Sequence, residues 1–179
     1  MKIDRRSVLA GAPALALAAS GIAKAAPDAD AIVMETTKGR LTIQLRPDLA
    51  PKHVKQIETL VKDHFYDGII FHRVIDGFMA QTGDPTGTGG GGSKLPNIPA
   101  EFSKEHFGRG TVGMARANDP NSANSQFFIC FADAGFLDGK YTIVGQVTQG
   151  MDVVDKINKG EPPAHPDKIV KMRMANDAK

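Results

Sequence analysis

The stretch FHRVIDGFMAQTGD, residues 71–84, decides the fold of this 179-residue chain. It contains parts of two short apolar strands, 69–74 and 79–82, joined around Asp76-Gly77, a dipeptide typical of hairpin turns. Arg73 lies inside the first strand, although a guanidinium stays charged in proteins and is costly to bury without a partner. Arg73 is therefore either half of an internal ion pair with a distant carboxylate or a functional residue.

Short strands continue along the rest of the chain. They are predicted at residues 31–36, 40–45, 111–115, 126–130, 142–147 and 168–174. Alternation in the last strand places Val170, Met172 and Met174 on one face. One helix is predicted to begin at Pro51 and another to span 151–157. Eight mostly antiparallel strands without alternating crossover helices predict a mainly β fold, a closed eight-stranded antiparallel barrel, accompanied by the two α-helices.

The first 25 residues have the features of an export signal. Adjacent Arg5 and Arg6 precede an uncharged run rich in alanine, and Ala23-Lys24-Ala25 supplies small residues at a cleavage site. The paired arginines resemble a twin-arginine signal, which serves a pathway for folded proteins. We expect residues 1–25 to direct export to a bacterial periplasm and residues 26–179 to form one domain.

The charge balance and the cysteine count limit the kinds of partner and anchor that we expect for this protein. The chain has 22 basic and 20 acidic residues, of which four and one lie in the signal, so 18 (22 − 4) and 19 (20 − 1) remain. This near-neutral balance indicates neither nucleic-acid nor membrane binding. Cys130 is the only cysteine, which excludes an internal disulfide. We expect a monomer without a lipid or membrane anchor.

Several motifs that could carry chemistry have simpler interpretations. The glycine-rich run 87–94 invites comparison with a phosphate-binding loop, but LPNIP at 95–99 cannot continue as the required helix. We predict a flexible surface loop there. The five histidines form no metal-spaced pair, so neither metal nor cofactor is expected. His72 is interpreted as a packed strand histidine, with an acid–base role as the alternative, and Cys130 as an inert core residue.

Four blocks of the sequence together carry a family resemblance. They are LRPDLAPKHV (45–54), YDGIIFHRVIDGFMAQTGDPTGTG (66–89), GTVGMARANDPNSANSQFFIC (110–130) and FLDGKYTIVGQVTQGMDVVDKI (136–157). With these blocks in this order, the chain resembles the cyclophilin family of peptidyl-prolyl cis-trans isomerases. Phe136 and Tyr141 favour the bacterial branch of that family.

The resemblance implies a fold, a site and a substrate. The fold is the eight-stranded closed barrel capped by two α-helices, and the site is a groove on the barrel surface that binds proline-containing segments of unfolded proteins. Arg73 is implied to be the catalytic residue. The proline pocket is implied to consist of Phe78, Met79, Phe128 and Leu137, with Phe136 and Tyr141 at its margin. Polar and backbone contacts to the substrate are implied for Gln81, Gln126, Ala115, Arg116 and Ala117.

The reaction of such an isomerase needs a hydrogen-bond donor but no proton transfer. Amide resonance sets a barrier of about 18–20 kcal/mol to rotation about the peptide bond. Twisting this bond localises the lone pair on the prolyl nitrogen, which becomes a better hydrogen-bond acceptor. A guanidinium N–H aimed at that nitrogen binds the twisted state more strongly than the planar state, so it lowers the barrier. This chemistry suits Arg73.

Three residues depart from the pattern of eukaryotic members. Phe136 replaces an indole, which removes an N–H donor and predicts weak binding of the cyclic peptide cyclosporin. Tyr141 replaces a histidine. Arg116 replaces an asparagine, and we expect it to favour acidic substrate side chains.

The hairpin itself raises a geometric conflict. A two-residue turn at Asp76-Gly77 places Arg73 opposite Ala80, so Arg73 and Gln81 then face opposite sides of the sheet. The resemblance places both side chains at the site. We therefore expect a wider turn or a bulge here.

Three functions remain open on the sequence alone. The first is an exported isomerase that acts on folding proteins. The second is a cyclophilin-like holdase that grips proline-containing segments without catalysis, but such a binder needs the pocket and not Arg73. The third, carbohydrate or small-ligand binding, favours stacking aromatics, and the chain has no Trp and only two Tyr.

Overall fold

The computed structural model describes residues 30–177, so the predicted signal, 1–25, lies outside the described residues. The strands are β1 (Ala31–Thr36), β2 (Gly39–Leu45), β3 (Arg73–Ile75), β4 (Met79–Thr82), β5 (Thr111–Met114), β6 (Phe127–Cys130), β7 (Ile143–Gln149) and β8 (Ile169–Met174). The helices are α1 (Pro51–Lys62) and α2 (Met151–Asp155), with a 3-10 helix at Gly135–Leu137. Among the described residues, no helix is long and apolar enough to cross a membrane.

The eight strands form one antiparallel sheet in the order β3-β4-β6-β5-β7-β2-β1-β8, curled into a half-barrel. No ladder joins the end strands β3 and β8. Single bridges lie between them instead, with Ile70 facing Lys168 directly before β8, and Val74 of β3 facing Gly160 in the segment between α2 and β8. The predicted strand 69–74 is therefore only partly correct. Its pairing with β4 begins at Arg73, whereas Ile70 in its first half forms a single bridge with Lys168. The predicted mainly β class, with eight antiparallel strands and two helices, is confirmed. The predicted closed barrel is corrected to a half-barrel, because β3 and β8 do not pair along a ladder.

Alternation along each strand separates two apolar clusters. In β6, Phe127 and Ile129 belong to a large core inside the curled sheet and beneath α1, which we call the interior core. Phe128 and Cys130 belong to a smaller group on the opposite face. This group, the outer cluster, consists of Met79, Phe107, Phe128, Cys130, Ala134, Leu137 and Ile143. One sheet thus supports a filled interior and a second apolar surface outside it.

The hairpin between β3 and β4 has a wider turn than the dipeptide motif suggests. Arg73 pairs directly with Gln81, so the turn contains three residues, 76–78. Gly77 lies in the left-handed region with φ of +68°, where a glycine meets no steric penalty. The expected wider turn is confirmed, and it places Arg73 and Gln81 on the same face of the sheet.

A bulge corrects the predicted alternation of the last strand. Between Glu35 and Thr36, β1 advances by one residue, whereas its partner β8 advances by two, from Lys171 to Ile169. Val170 is the extra residue and is 49% exposed. The prediction that Val170 shares a face with the two methionines of this strand is wrong, because the bulge turns Ile169 inward instead.

Candidate active site

A groove of about 880 Å³ opens over the outer cluster, and we call it the main groove. The predicted site residues that line it are His72, Arg73, Phe78, Met79, Gln81, Ala115, Arg116, Phe128, Phe136, Leu137 and Tyr141. The lining residues that the sequence did not suggest are Gly87, Thr88, Gly89, Glu161 and Pro162. The volume lies within the range of about 300–1,000 Å³ that is usual for ligand sites.

A second cavity of about 450 Å³, the side pocket, adjoins the main groove. It contains the two remaining predicted residues, Ala117 and Gln126, and shares Gln81, Ala115 and Arg116 with the main groove. The structure therefore brings all the predicted site residues onto one continuous surface. Their individual roles stay predictions.

The floor of the main groove is apolar and rigidly supported. Met79 and Phe128 are almost fully buried. The Phe128 ring stacks on Phe107 with centroids 6.0 Å apart and meets Tyr141 edge-on at 6.0 Å. Gly113 pairs with Phe128 in the ladder, and a Cβ there would lie 2.5 Å from the Phe128 ring. Phe107 and Gly113, which the sequence analysis missed, thus fix the position of the floor.

The rim beside this floor is aromatic and exposed. The 3-10 helix carries Leu137, which is buried in the outer cluster, and Phe136, which is 61% exposed. The ring of Phe136 lies 5.2 Å from that of Phe78, tilted by 47°. Together these side chains form an apolar wall along one side of the main groove.

Arg73 faces the groove and makes one side-chain hydrogen bond within residues 30–177. Its Nε donates to Oε2 of Glu161 at 2.7 Å, and the two side chains are 44% and 51% exposed. An arginine presents five N–H donors, so the four on its terminal nitrogens remain available to a substrate. An ion pair with a distant carboxylate therefore exists, but it is half-exposed and not internal, and it uses only one donor. The catalytic role of Arg73 stays a prediction.

Two glutamines connect the floor to the glycine-rich loop. The amide of Gln81 donates to Oε1 of Gln126 at 2.9 Å. Gln126 in turn donates to the carbonyl oxygens of Gly89 and Gly91 at 2.9 and 2.7 Å. This chain of hydrogen bonds fixes the orientation of both amides at the junction of the two cavities.

The glycine-rich loop is built around a buried carboxylate. Asp84 accepts backbone N–H groups from Thr86, Thr88, Gly89 and Gly91 at 2.6 to 3.1 Å. Burial acts to raise the pKa of Asp84, but the hydroxyl of Thr86, which donates to Oδ1 at 2.7 Å, and these backbone groups outweigh burial and lower the pKa to about 2. The prediction of a flexible surface loop is corrected, because the hydrogen-bonded loop forms a wall of both cavities.

His72 is buried beneath the groove, and neither of its ring nitrogens has a hydrogen-bond partner within residues 30–177. Burial lowers the pKa of His72, with Asp84 opposing this effect and Arg73 adding to it. A neutral imidazole without a relay partner fits the interpretation as a packed histidine better than an acid–base role.

Contacts with the rim hold Arg116 in place. Its terminal nitrogens donate to the carbonyl oxygens of Ala117 and Lys140, both at 2.9 Å. The guanidinium carbon lies 4.4 Å from the centroid of the Tyr141 ring, a cation–π contact. These contacts fix the position of the guanidinium, so its positive charge is held beside the rim.

No group of three or more His, Cys, Asp or Glu residues in the described part of the chain is arranged to hold a metal ion. Burial raises the pKa of the Cys130 thiol, which is fully buried opposite Met79, to about 12, so a thiolate nucleophile is not available there. His106 contacts Asp133 and Asp138 at 2.6 and 2.8 Å on the surface. These two carboxylates flank the 3-10 helix of the rim.

Known proteins share both this sequence and this fold. The family described as "Cyclophilin type peptidyl-prolyl cis-trans isomerase/CLD" matches residues 31–174. A probable peptidyl-prolyl cis-trans isomerase from Brucella suis is 50% identical over a 192-residue alignment that covers 97% of this chain and 98% of that protein. The isomerase-like 1 protein of Neurospora crassa is 42% identical, covering 82% of this chain and 94% of its own.

Two solved structures extend this likeness to the fold. Cyclophilin AquaCyp293 from Hirschia baltica matches with a TM-score of 0.78 and 33% identity, covering 84% of this chain and 76% of its own. A cyclophilin-type isomerase from Cryptosporidium parvum, crystallised in the presence of the dipeptide Ala-Pro, matches with a TM-score of 0.75 and 30% identity, covering 80% and 98%. On sequence and fold alike, this chain belongs to the family of cyclophilin-type peptidyl-prolyl cis-trans isomerases.

Proposed function

We propose that this isomerase accelerates rotation about X-Pro bonds in exported proteins as they fold, with Arg73 as the hydrogen-bond donor. One observation carries the proposal: the half-exposed guanidinium of Arg73 lines the same groove as the buried apolar floor of Met79 and Phe128. A proline ring fits such a floor, and a fixed donor beside it suits a reaction in which no covalent bond forms or breaks.

The proposed step depends on a difference in hydrogen bonding along the rotation. The apolar floor holds the proline ring while the preceding carbonyl turns. The prolyl nitrogen then becomes pyramidal and accepts an N–H from Arg73. Because the planar ground state offers no such acceptor, the interaction favours the transition state selectively.

The test compares cis-to-trans relaxation of a short Ala-Pro peptide with the wild-type protein and with Arg73→Ala. Loss of a donor that acts in the transition state typically lowers kcat by about 10²–10³-fold, and we expect a loss of that order here. Peptide binding should persist, because the apolar floor is intact. Arg109→Ala is a matched control, since Arg109 forms an equally short, half-exposed ion pair with Asp155 away from both cavities.

The same assay contains the outcomes that contradict the proposal. An Arg73→Ala protein as fast as the wild type would remove Arg73 from the reaction. If both proteins bind peptide but neither accelerates relaxation, the chain is a holdase for proline-containing segments and not a working isomerase.

Export is the second part of the proposal and depends on residues 1–25. A reporter that is active only outside the cytoplasm, fused after this segment, should become active in bacteria. Replacing Arg5 and Arg6 by lysine, or blocking the twin-arginine pathway, should abolish that activity. Unchanged export under both treatments would refute the twin-arginine assignment, and an inactive reporter from the start would refute export.

Weak binding of cyclosporin is proposed because Phe136, exposed at the rim, carries no N–H donor. Phe136→Trp adds such a donor, and one hydrogen bond of about 1 kcal/mol net corresponds to about five-fold tighter binding. Titration calorimetry of both proteins tests this expectation. Equal affinities would show that this donor does not limit binding.

A preference for acidic substrates is proposed from the charge of Arg116 at the junction of the two cavities. Arg116→Gln should lower the relative rate for peptides with Glu near proline, compared with the same peptides carrying Gln. An unchanged ranking of acidic and neutral peptides would exclude this role.

A further inference from the structure

The ion pair between Arg73 and Glu161 is not accounted for by the sequence motifs or by the resemblance. The two residues are 88 positions apart, and Nε of Arg73 donates to Oε2 of Glu161 at 2.7 Å. Both side chains line the main groove. The carboxylate is thus part of the wall that faces a bound substrate.

The backbone holds Glu161 beside Arg73. Gly160 and Val74 exchange two backbone hydrogen bonds, each 2.8 Å long, so the residues next to them, Glu161 and Arg73, lie side by side. Within the same segment, Asp167 accepts the N–H of Asn158 at 2.8 Å. Backbone hydrogen bonds therefore place Glu161 next to Arg73, whatever the conformation of the Glu161 side chain.

No other side chain of residues 30–177 forms a hydrogen bond with Arg73. Gln81 lies directly opposite Arg73 in the ladder, yet its amide donates to Gln126 instead. An arginine side chain has several rotatable bonds and loses much conformational freedom when it is fixed in one orientation. Glu161 is the group that supplies this restraint.

Glu161 accepts a hydrogen bond from Nε of Arg73, and the proposed reaction does not need this donor. Nε lies on the side edge of the planar guanidinium, and the terminal nitrogens keep four N–H groups. A carboxylate bonded at Nε fixes the plane of the guanidinium and leaves those terminal donors facing the groove.

We propose that Glu161 is a positioning residue for Arg73, which orients the guanidinium so that its terminal N–H groups meet the prolyl nitrogen in the twisted state. The inference rests on the proposed function, since it assumes that Arg73 is the donor. Orientation of a catalytic group acts mainly on the transition state, so Glu161 contributes to kcat and little to KM.

The first experiment measures kcat and KM for an Ala-Pro peptide with Glu161→Ala and Glu161→Gln. Glu161→Ala should lower kcat by about three- to five-fold with KM unchanged, because the guanidinium then spends part of its time in orientations that do not meet the prolyl nitrogen. Glu161→Gln should recover part of this loss, because its amide oxygen still accepts from Nε. Asp155→Ala, which removes an equally short ion pair far from the groove, should leave both constants unchanged.

The second experiment repeats the substitution in a protein that lacks the donor. If Glu161 acts only through Arg73, adding Glu161→Ala to Arg73→Ala should change nothing. An equal loss in both backgrounds would overturn the proposal, because Glu161 would then merely support its loop. A faster Glu161→Ala enzyme would also overturn it, because the carboxylate would then compete with the substrate.

The two proposals fail in different ways. A slow Arg73→Ala enzyme together with an unaffected Glu161→Ala enzyme refutes only the positioning role. An unaffected Arg73→Ala enzyme refutes the proposed donor itself. Unfolding midpoints of every variant show whether a slow enzyme is simply unfolded, and Glu161→Gln provides a second variant if Glu161→Ala does not fold.

Discussion

Phe127 and Phe128 are adjacent in β6, yet they lie on different sides of the sheet. Phe127 is 1% exposed and packs edge-on against Tyr66 inside the interior core, with ring centroids 5.5 Å apart. Phe128 is 5% exposed and forms the floor of the main groove. The burial of the two rings is nearly equal, but only one of them adjoins a space that a ligand can enter.

The difference lies in what covers each face. The interior core is closed by the curvature of the sheet and by α1, whose Val54 and Ile57 are buried in it. The outer cluster is covered only in part, by segments such as the 3-10 helix and the glycine-rich loop. We therefore expect stability to depend mainly on the interior core, and the proposed substrate binding to depend on the outer cluster, where the cover is incomplete.

The largest effect is expected from truncating each of these two rings. Phe127→Ala should lower the free energy of unfolding by about 4 kcal/mol, because it leaves a dry cavity in the core. Phe128→Ala should cost roughly half as much, because water from the groove can fill the space. Urea unfolding measures both values.

Activity should follow the reverse order. Phe128→Ala should lose most of its kcat/KM for an Ala-Pro peptide, and folded Phe127→Ala should retain it. Equal destabilisation by the two substitutions, with equal activity, would remove the distinction between the faces.

Gly113→Ala tests whether Gly113, which pairs with Phe128, supports the floor of the main groove. The new Cβ would lie 2.5 Å from Phe128 and 2.7 Å from Phe107, so the rings must move into the groove. Overpacking of this kind typically costs about 1–3 kcal/mol, and peptide affinity should fall as well. Gly108→Ala is the control, because its Cβ would meet only His106 at an ordinary 3.7 Å. A stable Gly113→Ala protein with full affinity would show that the floor is not fixed from below.

Asp84→Asn tests the loop that walls the groove. The pKa of this carboxyl is about 2 in the folded protein against an ordinary 3.8, which corresponds to about 2 kcal/mol of stability. Because the folded pKa is depressed, this contribution is complete above the unfolded pKa and is lost as the pH falls through the folded pKa. We expect Asp84→Asn to lower the free energy of unfolding at about pH 7 by this amount and by less at about pH 3.

The control for this loop is Asp63→Asn, at an exposed carboxylate that forms no side-chain hydrogen bond within the described residues. Peptide affinity should fall in Asp84→Asn and not in Asp63→Asn. A variant of Asp84 with wild-type stability at both pH values would contradict the buried carboxylate as the organiser of the loop.

The smallest effect is expected at His106, beside the rim. Asp138 and then Asp133 raise the pKa of this imidazole by hydrogen bonding. Because the folded pKa is raised, the stabilisation is complete below the unfolded pKa and is lost as the pH rises through the folded pKa. The melting temperature of the wild type should therefore decline slightly between about pH 6 and pH 9, relative to His106→Gln. Parallel profiles for the two proteins would show that this cluster does not stabilise the rim.

Most strands were predicted well, because strand formation is signalled by the pattern of neighbouring residues. The conflict at Asp76-Gly77 correctly indicated a wider turn. The wholly apolar run Phe127 to Cys130, by contrast, gives no sign in the sequence that it supplies two different clusters. The prediction was wrong at Val170, because a bulge depends on the register of the partner strand and not on the residue itself.

The site was predictable only where motifs carry it. Glu161 reaches Arg73 from 88 residues away, in a segment without hydrophobic periodicity, so no local signal could pair them. Phe107 and Gly113 support the floor through packing that only the folded chain reveals. The glycine-rich loop does carry a local signal of order, because Asp84 followed by threonines and glycines is typical of side-chain-capped turns.

Because Cys130 is buried, the chemical reactivity of its thiol can report the opening of the folded protein. The chain has one thiol, and it lies fully buried between β4 and β5, with a pKa of about 12. A thiol-reactive dye can therefore label the folded protein only when these strands separate. The labelling rate, read by mass spectrometry, would record how often the sheet opens beneath the groove, and a bound peptide that closes the outer face should slow it.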